Sequence, residues 1–509
     1  MKESGWGGGY STEESYTSGF YPEQAPEHLN YVCLLNGVEP VPLDRPYTYC
    51  ELGCGLGATV TLLAASHPQG RFYAADFMPA HVAAARRRAE SAALANLTFL
   101  ENSFAELADG RVELPRFDFI TMHGVYSWVS KENRRHIVRF IERHLKPGGL
   151  VYVSYNALPG WATALPMRRL MLSQAVLQPG SGPERIGRAQ ALLESLVEAQ
   201  AGYFAANPGL PERFDTLKRG DRVAAYLVHE YLNSVAEPMY HADVAADLAP
   251  AKLDYVGSAI PSVAFQALPA AQQDLLDACG DPAWRETVRD FIINTRFRMD
   301  VYVRGRRPLP PRRRLERLRQ CVLMLTVPRG GASLGIEGLE GPAYAGLQEE
   351  VLDALARAPQ SFEALSRWPL FSGDVELVAQ VSALMCGSLR LGAVTLASRA
   401  GVDPGPARRL NRLVTAGEPC SDALEGLACP LTGCGIKASP LERRLYVELS
   451  ARPGDTDPAV LASRLTDVLE GNPADMPRAE GPAHEALRIA QVQDILENSV
   501  PLWRQLNAL

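Results

Sequence analysis

Three alternate glycines constrain the first half of this chain more than any other feature. In YCELGCGLGATVTLLAA, residues 49–65, a short apolar run ends at Gly53, Gly55 and Gly57 and then becomes helical in pattern. Backbone that turns sharply and lies close to a ligand favours glycine, because a Cβ would obstruct both. A strand, a glycine turn and a helix in that order make the opening unit of a parallel α/β sheet.

The pattern continues. TYCELG, RFYAADF, NLTFLEN, FDFITMHG and LVYVSYN read as strands, and ATVTLLAASHP, MPAHVAAARRRAESAAL and NRRHIVRFIERHLKPGG as helices. The series β-α-β-α-β-β-α-β predicts a Rossmann-like, open, twisted, mostly parallel sheet over residues 46–165. Ligands of such sheets sit at the carboxyl ends of the strands.

A chain of 509 residues exceeds one core and is expected to form several domains. Residues 1–45 read as an N-terminal lid segment that turns helical, with Leu29, Val32 and Leu35 on one stripe. Residues 166–305 read as a mainly helical middle domain, including WRETVRDFIINTRFRMDVYVRG. Residues 306–319 read as a Pro/Arg-rich linker within RGRRPLPPRRRLERLR, a solvated connector or an anion-facing patch. Residues 320–509 read as an α+β domain, with a winged-helix-like form as one option and CVLMLTV, LRLGAVTLA and RLYVELS as its strands.

Composition narrows the class of function. Net charge is −7, which gives no whole-surface footprint for nucleic acid. No apolar run is long enough to span a bilayer, and MKESGWGGGYSTEESY lacks a secretory design, so a cytoplasmic location is expected. Nine cysteines without a CxxC pair read as buried free thiols, and no metal-ligand spacing is found. A P-loop lysine and a G-x-S-x-G elbow are both missing.

Gly53-x-Gly55-x-x-Ala58, with Asp76 ending the next strand, fits a relaxed nucleotide fingerprint and taken alone allows NAD, FAD or S-adenosylmethionine. Glu51 leans the choice. Two residues before the first glycine, its carboxylate would repel a pyrophosphate but could hold the ammonium of an amino-acid tail. The helix beginning near Gly57 would then face the carboxylate of that tail. Asp76 is placed to accept from both ribose hydroxyls, and Asn102 or Ser103 to bond the adenine amino group.

The strings GYSTEESYTSGFYPEQAPEHL, ELGCGLG, HGVYSWV and SYNALPGW resemble the S-adenosylmethionine-dependent methyltransferases that carry a methyltransferase regulatory domain. That group contains the rickettsial outer-membrane-protein lysine methyltransferases. The resemblance continues more loosely through YLVHEYLN, LDYVGSA and NTRFRMDVYVRG and thins after about residue 320. It implies methyl transfer to a nucleophile, with S-adenosylhomocysteine as product and protein lysine as the best-studied acceptor.

The acceptor is expected to be a protein or peptide, with a small-molecule N- or O-methyltransferase and a catalytically silent binding module as rivals. Some 340 residues beyond the core exceed what recognition of a metabolite needs. Nucleic acid is disfavoured, because HGVY stands where base-amine methyltransferases carry an N-P-P-Y-type motif. No membrane contact is expected, and a homodimer stays an open option.

Candidate donor-binding residues are Glu51, Gly53, Gly55, Gly57, Asp76, Phe77, Asn102, Ser103, His123, Tyr16 and Tyr21. Candidate catalytic residues are His123, Tyr126 and Trp128 after the fourth strand and Tyr155 and Asn156 after the fifth, with Trp161 further along the fifth-strand loop and Tyr10 in the lid. His229 and Glu230 read as a structural pair or a cleft-facing one. Arg86, Arg87 and Arg88 read as a solvated face, and His136 and His144 as structural.

Overall fold

The computed structural model describes residues 19–178, 180–210, 227–228, 230–336, 341–396, 399, 401–413, 424–465 and 482–509. After a buried helix α1 (Pro26–Leu35) come β1 (Tyr47–Leu52), α2 (Ala58–Ser66), β2 (Gly70–Asp76), α3 (Pro79–Ser91) and β3 (Leu97–Glu101). Next are α4 (Phe104–Asp109), β4 (Phe117–Met122), α5 (Lys131–His144) and β5 (Leu145–Asn156). The local causes are plain. Gly57 starts α2 from the left-handed region, Pro79 opens α3, and Ser103 and Ser130 cap α4 and α5.

Seven strands form one sheet in the order β3-β2-β1-β4-β5-β7-β6. The first five are parallel neighbours, and the order reverses between β1 and β4. That reversal opens a crevice at the carboxyl ends of β1 and β4.

The last two strands correct the sequence reading of residues 166–305 as helical. Here β6 (Leu253–Ser258) and β7 (Phe297–Arg304) complete the sheet, with β7 antiparallel to both β5 and β6. The helix before β7 stops at Ile293, because Asn294 takes a left-handed φ of +52°. Six of the eight β7 residues are buried, so no polar face marks the strand in the sequence. Its Arg298 pairs with Asp300 on the same strand and with Asp290.

The other described elements of the middle region are helices. Leu165–Leu177 packs on Gly182–Glu198 around Trp161, Met167, Ile186 and Tyr231.

The linker reading is also corrected. Pro311 starts a helix, Pro311–Gln320, and three of its arginines pair with acids elsewhere in the chain: Arg314 with Glu376, Arg317 with Glu39 and Arg319 with Glu363. Proline in the first turn begins a helix as readily as it extends a linker.

Beyond it lie a three-stranded antiparallel sheet and a hairpin, Gly426–Cys429 with Cys434–Lys437. RLYVELS, read as a strand, lies in the helix Pro440–Ala451, where Ser439 and Glu442 form a capping box.

The N-terminal segment is not a lid over most of its described length. Of α1, all but His28 is buried, and the helix belongs to two cores at once. Tyr31 donates to Ala379 O at 2.9 Å, and Leu29 and Val32 pack with the main sheet.

The hairpin grips α2 in turn. Ser66 Oγ donates to Cys434 O at 2.8 Å and accepts from the Cys429 amide at 3.1 Å. Arg399 donates to Ser66 O and Pro430 O and pairs with Glu27, which also meets His67 Nε2 at 2.7 Å. Burial would raise Glu27, but Arg399 and His67 hold it below its ordinary value.

Candidate active site

At the carboxyl end of β1 the chain turns through Gly53, Gly55 and Gly57 with φ of +67°, +54° and +70°. All three lie where L side chains are disfavoured. Their surroundings differ. A Cβ on Gly53 would stand 2.5 Å from Val125 Cγ2, and one on Gly57 2.6 Å from Phe99 Cε1. A Cβ on Gly55 would meet nothing within 4 Å. The open side of the loop is therefore at Gly55, which lines a cavity with Glu51, Cys54, Thr59, Tyr21 and His123.

Asp76 fixes the loop from the end of β2. Its Oδ2 accepts from the Gly55 amide at 2.8 Å and its Oδ1 from the Met78 amide at 2.9 Å. Phe77, half-buried, lies between these two anchors in sequence. Asn102 joins the same strand ends through its amide, which donates to Asp76 O at 3.2 Å.

Ser103 requires a correction. Its hydroxyl accepts from the Glu106 amide and donates to Glu106 Oε2 at 3.0 Å, so it caps α4 rather than reaching for an adenine. Arg88 also departs from expectation. It is buried and donates to Leu56 O at 2.8 Å, bracing the glycine loop, while Arg86 donates to Phe99 O and Arg87 is exposed.

Glu51 is buried beside the loop. Its Oε1 accepts from Gln24 Nε2 at 3.2 Å. Its Oε2 makes no hydrogen bond of normal geometry, although the Val60 backbone lies close enough to favour the charged form. Burial pushes the carboxyl up to about 8. A buried carboxylate with a spare oxygen, beside an open loop and the amide end of a helix, fits a zwitterionic amino-acid tail. The residues present thus suit the aminoacyl end of S-adenosylmethionine. Gln24 and Thr59 escaped the sequence reading. Thr59 Oγ1 accepts from the Tyr21 amide at 3.1 Å and so seats Tyr21 above the loop.

His123 follows β4. Its Nδ1 lies 2.7 Å from the Tyr152 hydroxyl, and its ring stacks on Tyr21 at 3.5 Å between centroids. Burial pushes the imidazole down to about 3, so the ring is neutral. Burial likewise pushes Tyr21 up to about 12, with help from Glu425, Glu23 and Glu51.

The other catalytic candidates do not line this cavity. Tyr126 is buried under the helix His241–Leu248, and its hydroxyl donates to Asp247 Oδ2 at 3.4 Å. Trp128 is buried, and its carbonyl accepts from Asn233 Nδ2 at 2.9 Å. The Tyr155 hydroxyl donates to Asp300 Oδ2 at 2.7 Å inside the Arg298–Asp300 cluster. Asn156 Nδ2 donates to Glu230 Oε1 at 2.7 Å, and Trp161 packs on Tyr231. These five residues are engaged by the neighbouring strand β7 and by the middle region rather than by the cavity, which corrects the reading of Tyr126, Trp128, Tyr155 and Asn156 as catalytic. A loop residue at a strand end can fold toward the crevice or away from it, and spacing does not distinguish the two. Tyr10, Tyr16 and His229 lie outside the described residues.

With this geometry in view, the relatives can be compared. Residues 50–151 match the model of a methyltransferase domain, and residues 223–304 that of a predicted methyltransferase regulatory domain. An uncharacterized protein of Synechocystis sp. is 37% identical over 87% of this chain and 88% of its own length. An uncharacterized protein of Rickettsia prowazekii is 28% identical over 56% of this chain and 51% of its own length. Among solved structures, PKMT2 from Rickettsia typhi in complex with AdoHcy shares the fold with a TM-score of 0.70. The two are 19% identical, and the match covers 97% of this chain and 99% of that one. The regulatory stretch contains both β6 and β7, so that domain is part of the sheet rather than beside it.

Proposed function

We propose, from the premise that this chain belongs to the S-adenosylmethionine-dependent methyltransferases with a methyltransferase regulatory domain, that its methyl acceptor is a lysine amine of a protein or peptide. The observation that carries the reading is the wall that Tyr21 and His123 give the donor cavity. It presents a tyrosine ring and a neutral imidazole, both largely buried.

S-adenosylmethionine, when bound, supplies a methyl group already activated on a sulfonium, and transfer leaves S-adenosylhomocysteine. The protein must bind that donor and orient an acceptor amine. Glu51 offers Oε2 to the donor ammonium, and the amide end of α2 favours its carboxylate. Asp76 holds the Gly55 amide and keeps the loop open.

A lysine amine must be neutral to attack, and its reference pKa is about 10.4. Exclusion of water disfavours the ammonium and so lowers that value. With Nδ1 of His123 engaged by Tyr152, Nε2 is the ring nitrogen left to orient the amine. The aromatic face of Tyr21 then favours the methylammonium product.

Labelled S-adenosylmethionine incubated with the full chain and cell protein, followed by acid hydrolysis, tests this directly. Label in methyl-lysine is expected. Label confined to the small-molecule fraction would replace the protein acceptor by a metabolite.

A further inference from the structure

Tyr21 and His123 also line a second cavity, the outer one, of about 310 Å³. Three distant parts of the chain build it. Glu23 comes from the turn Pro22–Gln24, Phe297 from the first position of β7, and Arg390, Glu425 and Lys437 from the C-terminal region. The turn Pro22–Gln24 serves both cavities, since Gln24 holds Glu51 in the inner one while Glu23 lines the outer. The Phe297 ring lies 5.7 Å from that of His123, at the shared wall.

The charges here are unevenly buried. Glu23 meets Arg390 at 3.5 Å, but the Glu23 side chain is 8% exposed and that of Arg390 57%. The acid is fixed in the protein, whereas its counter-ion stands largely in water. Arg390 also sits at a φ of +52°, a region that few residues other than glycine occupy. Its side chain reaches the cavity from a strained turn rather than from a regular element. A cation held so loosely on a buried acid can be exchanged for another.

We propose that this outer cavity is the acceptor channel, and that Glu23 with Glu425 forms an ammonium seat where a lysine side chain displaces Arg390. The aliphatic stem would lie along Phe297, with the nitrogen directed at the Tyr21–His123 wall. The inference rests on the lysine reading above and gives the C-terminal region a task, completion of the acceptor site. It also divides the work by place. The amine is selected as a cation in the outer cavity, and it passes its proton to the carboxylate of Glu23 or Glu425 before the neutral nitrogen reaches the wall.

The probe is Nα-acetyl-lysine methylamide, with the uncharged Nα-acetyl-norleucine methylamide as control, titrated into the full chain with AdoHcy present. The lysine amide should bind saturably and the norleucine amide should not. Glu23→Gln and Glu425→Gln should each weaken the lysine amide about tenfold, and Arg390→Ala should tighten it several-fold. AdoHcy affinity, unchanged in all three, shows that they are folded. Equal binding of the two amides, no saturable binding of the lysine amide, or variants that leave its affinity unaltered would each overturn the seat. The identity of the residue methylated by the wild type is read separately. Methyl-lysine product with an unaltered seat would leave the lysine reading standing and remove only this inference.

Discussion

The ring of Tyr21 lies flat on the imidazole of His123, with centroids 3.5 Å apart and planes 18° apart. The contact is made by the ring face and not by the hydroxyl. Tyr21→Phe should therefore keep turnover within about twofold, and Tyr21→Ala should lower it by roughly 10- to 100-fold. Steady-state rates at saturating donor decide between the two. Equal losses in both variants would give the hydroxyl the leading part.

Glu51 makes donor affinity depend on pH. Its ordinary value is 4.5 and its folded value about 8, so between these the folded protein keeps a proton that the unfolded chain has released. The stability this proton carries is full below 4.5 and is lost as pH rises to about 8. Glu51→Gln should thus stabilise the ligand-free protein at pH 8, by about 1–3 kcal/mol. An ammonium needs the ionised carboxylate, so AdoHcy should bind more tightly at about pH 7.5 than at about pH 6 and release a proton as it binds. Calorimetry in two buffers of different ionisation heat reads that proton. A Glu51→Gln variant with the wild-type pH profile would remove Glu51 from the donor site.

The three glycines should separate by phenotype. Gly53→Ala and Gly57→Ala meet Val125 and Phe99 and should cost about 2–4 kcal/mol of stability. Gly55→Ala meets no neighbour and should cost only about 1 kcal/mol from its positive φ, yet weaken AdoHcy at least tenfold, an order-of-magnitude figure. Thermal melts with and without AdoHcy measure both quantities. Wild-type affinity in Gly55→Ala would mean that the ligand does not approach there.

Tyr126→Phe should leave turnover unchanged and lower stability by less than about 1 kcal/mol, since its hydroxyl makes one long bond to Asp247. A fall in turnover at normal stability would restore Tyr126 to the chemistry.

Arg399→Met should destabilise the whole chain by about 3–5 kcal/mol, because it leaves Glu27 buried without its strongest partner. Denaturant melts give the value. Loss below about 1 kcal/mol would mean that His67 alone compensates Glu27.

Much of this was legible in the sequence, and for a physical reason. Parallel strands are short apolar runs, and Gly53, Gly55 and Gly57 mark where the first one turns, so the core pattern shows without any partner. The placement of Glu51, Asp76 and His123 was legible because each stands at or next to the carboxyl end of a strand. Strand β7 was not, since Arg298 and Asp300 look like a polar helical face until they are seen to neutralise each other. Gln24 and Thr59 reach the site only through the fold, and no local spacing announces them. Tyr126, Trp128, Tyr155 and Asn156 were placed on the right edge of the sheet but the wrong side of it. The buried face they serve belongs to helices far along the chain.

The insertion of β7 between β5 and β6 also sets an order of events during synthesis. When β5 leaves the ribosome, its outer edge has no neighbour, and Val151, Val153 and Tyr155 stand on an unpaired strand. That edge waits through all the chain from residue 157 to 296 until Phe297–Arg304 has been made. Open apolar edges recruit other strands. A message cut short within this interval yields not a smaller methyltransferase but an adhesive fragment, and the nascent chain has reason to meet a chaperone at that point.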